Sequence, residues 1–267
     1  MTMFRTLELS DPALTPPGFT FATVKSAALG QRGDVAIYAP PGTAADSPIV
    51  VLLHGVYGSH WAWAFRGGAA PVLGALIAAG EVRPMVLAMP SDGLWGDGSG
   101  YVPHGAADFE RWIIDEVPAV VREVRRTGDA PAPLFMAGLS MGGFGALRLA
   151  GRYPERLAAV SAHSAITDLE QMDPMIEERR IGWGEQAEDR SVVTCLLHAR
   201  AALPPLRFDC GVDDALLPEN RRLHEALTAA NIAHIYEEFP GGHDWPYWNQ
   251  HLADSLRFFE GQLSSRS

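Results

Sequence analysis

Short apolar runs alternate along this chain with stretches of helical spacing, and glycines punctuate most of the joins. Pro48-Ile49-Val50-Val51-Leu52-Leu53, Met85-Val86-Leu87-Ala88-Met89, Leu134-Phe135-Met136-Ala137 and Leu157-Ala158-Ala159-Val160-Ser161 offer almost no polar face. Such segments fit strands buried on both sides, as in a parallel sheet covered by helices. Leu206 to Gly211 and Ala233 to Phe239 predict the last two strands. Helices are predicted over Pro71 to Gly80, Asp108 to Arg126, from Gly143 onward, Pro218 to Asn231 and His251 to Leu263. In the second of these, Phe109, Trp112, Ile113, Val117, Val120, Val121 and Val124 share one side. Asp108 or a neighbour is expected to cap that helix, and Pro118 to kink it. Phe19 to Pro40 alternates modestly around Gly30-Gln31-Arg32-Gly33 and predicts an antiparallel hairpin at the sheet edge.

These elements make one α/β domain with a mostly parallel central sheet and helices on both faces. Asp168 to Leu203 is charged and poorly periodic, and reads as an insertion or partial cap near the site. Ser91 to Gly105, with Trp95 and Tyr101 in it, is a glycine-rich loop long enough to suggest function or mobility.

Gly138-Leu139-Ser140-Met141-Gly142 stands between a predicted strand and a predicted helix. A serine on so sharp a turn needs small neighbours, and the turn lifts its hydroxyl above the carboxyl end of the sheet. A hydroxyl is a poor nucleophile without a base in hydrogen-bonding reach and a group that orients the base. Downstream, His243 follows the last predicted strand in Pro240-Gly241-Gly242-His243-Asp244-Trp245. Asp213 and Asp214 follow the strand before it, and Asp244 is a third candidate acid. An oxyanion hole is expected from two backbone N–H groups, that of Met141 and one from the loop after Leu53, with Val56 the candidate. His54, His60 and His163 are rival histidines, with His54 expected to brace its turn.

Composition acts mainly by exclusion. A formal charge of −11 over 267 residues argues against nucleic acid. The first seventeen positions hold acidic residues and prolines and no long apolar stretch. No secretory signal or membrane span is visible, so the expectation is a cytoplasmic protein without a membrane partner. Cys195 and Cys210 are the two cysteines, too few for a disulfide framework, with a single bridge between them left open. Asp92-Gly93 through Asp97-Gly98 lacks the alternating ligands and closing glutamate of a calcium loop, so no metal is expected. Glu177, Glu178, Arg179 and Arg180 read as solvated surface.

Taken together, the Leu53-His54-Gly55 loop, the Gly138 to Gly143 elbow, Gly211-Val212-Asp213-Asp214-Ala215-Leu216-Leu217 and Gly241-Gly242-His243-Asp244-Trp245 carry a resemblance. From about Val50 to Phe259 the chain resembles the putative esterase family of α/β-hydrolases. That family includes S-formylglutathione hydrolase, feruloyl and tributyrin-type esterases and mycobacterial mycolyltransferases. The resemblance implies an α/β-hydrolase fold and a serine carboxylesterase with Ser140, Asp214 and His243 as triad and no cofactor. It prefers Asp214 to Asp213, and it places Val56 at the oxyanion position of the mycolyltransferases. The Leu53-His54-Gly55 loop departs from that of the S-formylglutathione hydrolases, so a glutathione thioester is not implied.

Tyr57, Trp61, Trp95, Tyr101 and Trp245 are expected to wall a pocket for a small-molecule ester, with Trp63 and Trp248 nearby. Acyl transfer or thioester hydrolysis would use the same triad, and a ligand-binding protein on a hydrolase scaffold is the reading from another class. The sequence leaves homo-oligomerisation open.

Overall fold

The computed structural model describes residues 4–128, 130–184 and 186–264. In chain order the elements are β1 (Leu7–Leu9), β2 (Phe19–Lys25), β3 (Arg32–Tyr38), β4 (Ile49–Leu53), a π-helical turn (Ala62–Arg66), α1 (Ala69–Ala78) and β5 (Val86–Pro90). Next, α2 (Phe109–Arg111) runs through a second π-helical turn (Trp112–Glu116) into α3 (Val117–Arg125), followed by β6 (Leu134–Leu139), α4 (Met141–Arg152) and β7 (Ala159–His163). The chain continues with α5 (Ala187–Arg190), α6 (Val192–His198), β8 (Leu206–Gly211), α7 (Leu217–Ala229), β9 (Ile235–Phe239) and α8 (Trp245–Ser264).

The strands form one sheet in the order β1-β2-β3-β5-β4-β6-β7-β8-β9. From β5 through β9 all pairings are parallel, while β1, β2 and β3 join antiparallel, as the hairpin around Gly30 predicts. Every residue of β4, β5, β7 and β8 is buried. Alternate side chains therefore feed two cores. Val51, Met136, Val160 and Phe208 face the α3, α4 and α6 side, while Val50, Leu52, Phe135 and Ala137 meet α1 and α8. Register aligns Leu53 with Gly138, Leu139 with His163 and Gly211 with Phe239, so the loops leaving these strands open on one rim. The short β1 has no alternating pattern to announce it and is held by pairing with β2.

Two helices differ from expectation for identifiable reasons. The kink expected at Pro118 is a π-helical turn, with the Val117 N–H donating to the Trp112 carbonyl. Proline donates no hydrogen bond and crowds the carbonyl four residues back, and a wider turn upstream relieves both problems. Glu116, brought inward by that turn, accepts from Ser26 Oγ and from the Ala27 and Ala28 N–H groups. The closing helix starts at Trp245 rather than His251 because Asp244 accepts the Tyr247 N–H at 3.0 Å.

The segment from Asp168 to Leu203 divides into two parts. An Asp168–Ser191 bridge closes its neck, and α6 buries Val192, Cys195 and Leu196. The part before α5 leans on the Ser91 to Gly105 loop. There the Glu177 N–H donates to Asp97 at 2.8 Å, and Glu178, expected as solvated surface, accepts the Asp97 N–H at 3.1 Å. Cys195 and Cys210 are buried free thiols. No helix among the described residues is long and apolar enough to cross a membrane.

Beneath the rim lies a buried polar network. His163 Nδ1 is 2.8 Å from Asp209, which also binds Arg207 and the Tyr247 hydroxyl, and His163 Nε2 is 2.8 Å from Ser255 Oγ. Burial alone would raise the Asp209 pKa, but His163, Arg207 and Tyr247 together hold it down to about 2. A carboxyl depressed in this way stabilises the fold above its unfolded pKa of about 3.9, and the contribution is lost as pH falls toward 2. Asp209→Ala would remove the partner of His163 Nδ1 and one of the two carboxylates on the buried Arg207 guanidinium, leaving Glu237, and should lower unfolding free energy by about 3 kcal/mol in a urea titration. A loss under about 1 kcal/mol would show that the network contributes little.

Candidate active site

Ser140 joins β6 to α4 at φ 53°, ψ −119°, a backbone conformation that a residue with a Cβ rarely adopts. The neighbouring glycines permit it. A Cβ on Gly138 would lie 2.1 Å from the Gly142 carbonyl oxygen, and one on Gly142 would lie 2.3 Å from the Leu53 oxygen. The elbow is then pinned from below. Ser140 N–H donates to the His163 carbonyl at 3.0 Å, and the Ser140 carbonyl accepts from Phe144 and Ile166.

The loops after β8 and β9 are knit together, with the Val212 N–H on the Phe239 carbonyl and the Asp213 N–H on that of Gly241. This seam delivers two side chains to Ser140. His243 Nε2 lies 3.0 Å from Ser140 Oγ, and His243 Nδ1 lies 2.9 Å from Asp214 Oδ2. The Asp214 carboxylate is wholly buried and accepts the Leu216 N–H at 2.8 Å. Burial would raise its pKa, but bonding to His243 and to the Leu216 N–H outweighs that and lowers it. An ionised Asp214 accepts a hydrogen bond from Nδ1–H, which keeps the proton there and leaves Nε2 as the acceptor facing the serine.

The other acids and histidines are occupied elsewhere. Asp213 is exposed, and Asp244 caps α8. His54 is buried, donating from Nδ1 to the Gly55 carbonyl at 2.7 Å and accepting the Asp92 N–H at Nε2. His60 lies beside Phe21 with Nδ1 on Ser59 Oγ. His163 sits in its own serine–histidine–aspartate arrangement, but all three groups are sealed from solvent.

The loop after β4 closes against Ser140. A Cβ on Gly55 would approach Ser140 Cβ to 3.2 Å, and Tyr57, at φ 62°, donates its N–H to the Asp97 carbonyl at 2.8 Å. The Val56 and Met141 N–H groups have no acceptor among the described residues. Two unengaged donors beside a serine are what an oxyanion site requires.

A cleft of about 390 Å³ opens over Ser140 and His243. Of the expected aromatic wall, Tyr57, Trp61, Trp245 and Trp248 line it, and the Tyr57 hydroxyl donates to the Met175 carbonyl. Trp95 and Tyr101 do not, which corrects their reading as pocket residues. Trp95 packs edge-on against His104 and Trp183. Tyr101 is fully buried, with its hydroxyl on the His54 carbonyl at 3.0 Å and its ring against Gly145. Both aromatic rings of this glycine-rich loop turn inward, and Tyr101 holds the loop after β4 from behind through the His54 carbonyl. Trp63 is likewise buried, donating to the Leu53 carbonyl at 2.9 Å. Arg66, which lines the cleft, was missed because no local pattern marks it.

The chain is similar to known proteins along most of its length. Residues 26–259 match the model of a family described as "Putative esterase". An acetyl esterase of Caldicellulosiruptor saccharolyticus is 27% identical over 227 residues, 78% of this chain and 81% of that one. Among solved structures, a ferulic acid esterase superposes with TM-score 0.77 at 24% identity, covering 96% of this chain and 99% of its own. An S-formylglutathione hydrolase from Agrobacterium tumefaciens superposes with TM-score 0.74 at 19% identity, covering 97% and 99%. The chain belongs to the Putative esterase family, and it is an ester-hydrolysing serine hydrolase with the α/β-hydrolase fold.

Proposed function

We propose that the chain is a carboxylesterase acting on small to medium esters, acetyl esters among them, through an acyl-enzyme on Ser140. The observation that carries this is the unbroken hydrogen-bond chain from Ser140 Oγ through His243 to a buried Asp214, opening into an aromatic cleft. The likeness to an acetyl esterase supports the choice of acyl group.

As Ser140 Oγ attacks the ester carbonyl, His243 Nε2 takes its proton, and Asp214 stabilises the imidazolium and fixes its orientation. The Val56 and Met141 N–H groups receive the carbonyl oxygen as it becomes negative. When the tetrahedral intermediate collapses, His243 returns the proton to the departing alcohol oxygen. Water then enters, gives its proton to His243 and attacks the acyl carbon; as this second tetrahedral intermediate collapses, His243 returns the proton to Ser140 Oγ and the acid leaves. Every proton is exchanged between serine, imidazole, alcohol and water, so the cycle needs no metal or organic cofactor.

An organophosphonate should add one label per chain by intact mass, and Ser140→Ala should abolish it; a label that persists in the variant refutes the nucleophile. Asp214→Asn should lower kcat toward para-nitrophenyl acetate by about 10³–10⁴ with little change in KM, because the amide favours the wrong imidazole tautomer. Asp213→Asn should stay within about threefold of the parent enzyme. A reversal of those two results would move the acid to Asp213.

A further inference from the structure

One wall of the cleft carries a charge that neither the triad nor the oxyanion loop uses. Arg66 ends the first π-helical turn and lines the cleft with its guanidinium carbon 5.7 Å from the centre of the Trp245 ring. Several arginines are paired, Arg83 with Glu260, Arg180 with Asp173, Arg221 with Glu238 and Arg257 with Glu81, whereas the exposed Arg32, Arg179 and Arg200 are in no ion pair among the described residues but do not line the cleft. Arg66 has no carboxylate partner among the described residues. Asp244, which also lines the cleft, has Oδ1 occupied by the Tyr247 N–H.

The position is fixed by the backbone beneath it. Gly67 N–H closes the π-helical turn on the Ala62 carbonyl at 2.9 Å, and Asn249 of α8 donates to the Gly67 carbonyl. A guanidinium held over an indole keeps its in-plane N–H edge free for a carboxylate. The same wall contains a second unsatisfied donor, the buried Nε1 of Trp248.

Ring contacts show which half of an ester would meet this wall. From His243 they run to Trp248 at 4.9 Å and from Trp248 to Trp245 at 5.3 Å, and Arg66 lies beyond. The leaving oxygen must lie beside His243, which protonates it, whereas the carbonyl oxygen belongs at the Val56 and Met141 N–H groups. The alcohol half therefore runs along the two indoles toward Arg66.

We propose that Arg66 is a specificity-determining residue that selects esters whose alcohol half is planar and carries a carboxylate. This rests on the carboxylesterase reading above. The flat ring packs against the indoles, which stand edge-on to one another at 88°, and the carboxylate takes the guanidinium edge.

The test compares para-acetoxybenzoate with its neutral partner para-acetoxybenzamide, reading kcat/KM for each. Going from the parent enzyme to Arg66→Gln should lower the acid-to-amide ratio by about tenfold, mainly through KM. Raised salt should narrow the parent's ratio, and Arg66→Lys should recover part of it. Comparing ratios cancels the different leaving tendencies of the two phenols. A second pair, monophenyl succinate and monophenyl succinamate, moves the charge to the acyl half and should not respond to Arg66→Gln. An unchanged acid-to-amide ratio overturns the proposal, as does a response confined to the succinate pair. Absence of turnover of both acetoxy compounds by the parent enzyme defeats the esterase reading itself, and this proposal with it.

Discussion

The backbone of one residue constrains the rest of this molecule. Ser140 is held at positive φ between a buried strand and a buried helix, and only the absence of side chains at Gly138 and Gly142 lets three backbone segments meet around it. That conformation costs of order 1–3 kcal/mol, which the surrounding packing must offset. The result is a hydroxyl projected above the sheet with a helix N-terminus directly behind it. Every other functional group is arranged with respect to that fixed point.

A parallel sheet solves the arrangement cheaply in chain length. Strand register brings the ends of β4, β6 and β8 to a common rim, so side chains separated by 29 and 103 positions meet without long connections. Rigidity below the rim comes from polar groups as well as packing. Arg148, fully buried, is held by Glu110, Asp189 and the Tyr101 carbonyl, which fixes α4 to the helix and loop beside it. Tyr101 in turn holds the His54 carbonyl, so the ion pair supports the loop after β4 indirectly.

Much of this was legible in the sequence because local patterns report burial. The runs ending at Leu53, Met89 and Leu139 have no polar face, and the glycines around Ser140 can be explained only by a turn that needs them. What escaped was set by tertiary contacts. A three-residue strand at Leu7 depends on its neighbour for definition. Trp95 and Tyr101 share a glycine-rich setting with true cleft residues, and only the three-dimensional path of that loop shows them turned inward. Trp245 and Trp248 looked like loop residues until the Asp244 cap placed them in the first turn of α8. The choice between Asp213 and Asp214 is likewise spatial, since both stand at the same strand end and only one carboxylate is buried against His243.

The cleft is where the proposed selectivity would arise. Its floor is the elbow at Ser140, one side is the backbone of the loop after β4, and the other is aromatic, ending in a cation. Rapid-quench mass spectrometry on an acetyl ester tests the central claim most directly, because it looks for the covalent intermediate itself. The account predicts a burst of about one alcohol per chain, accompanied by one acetyl group that maps to Ser140. Turnover with no acetylated chain at any time, or with the acetyl group on another residue, would contradict it.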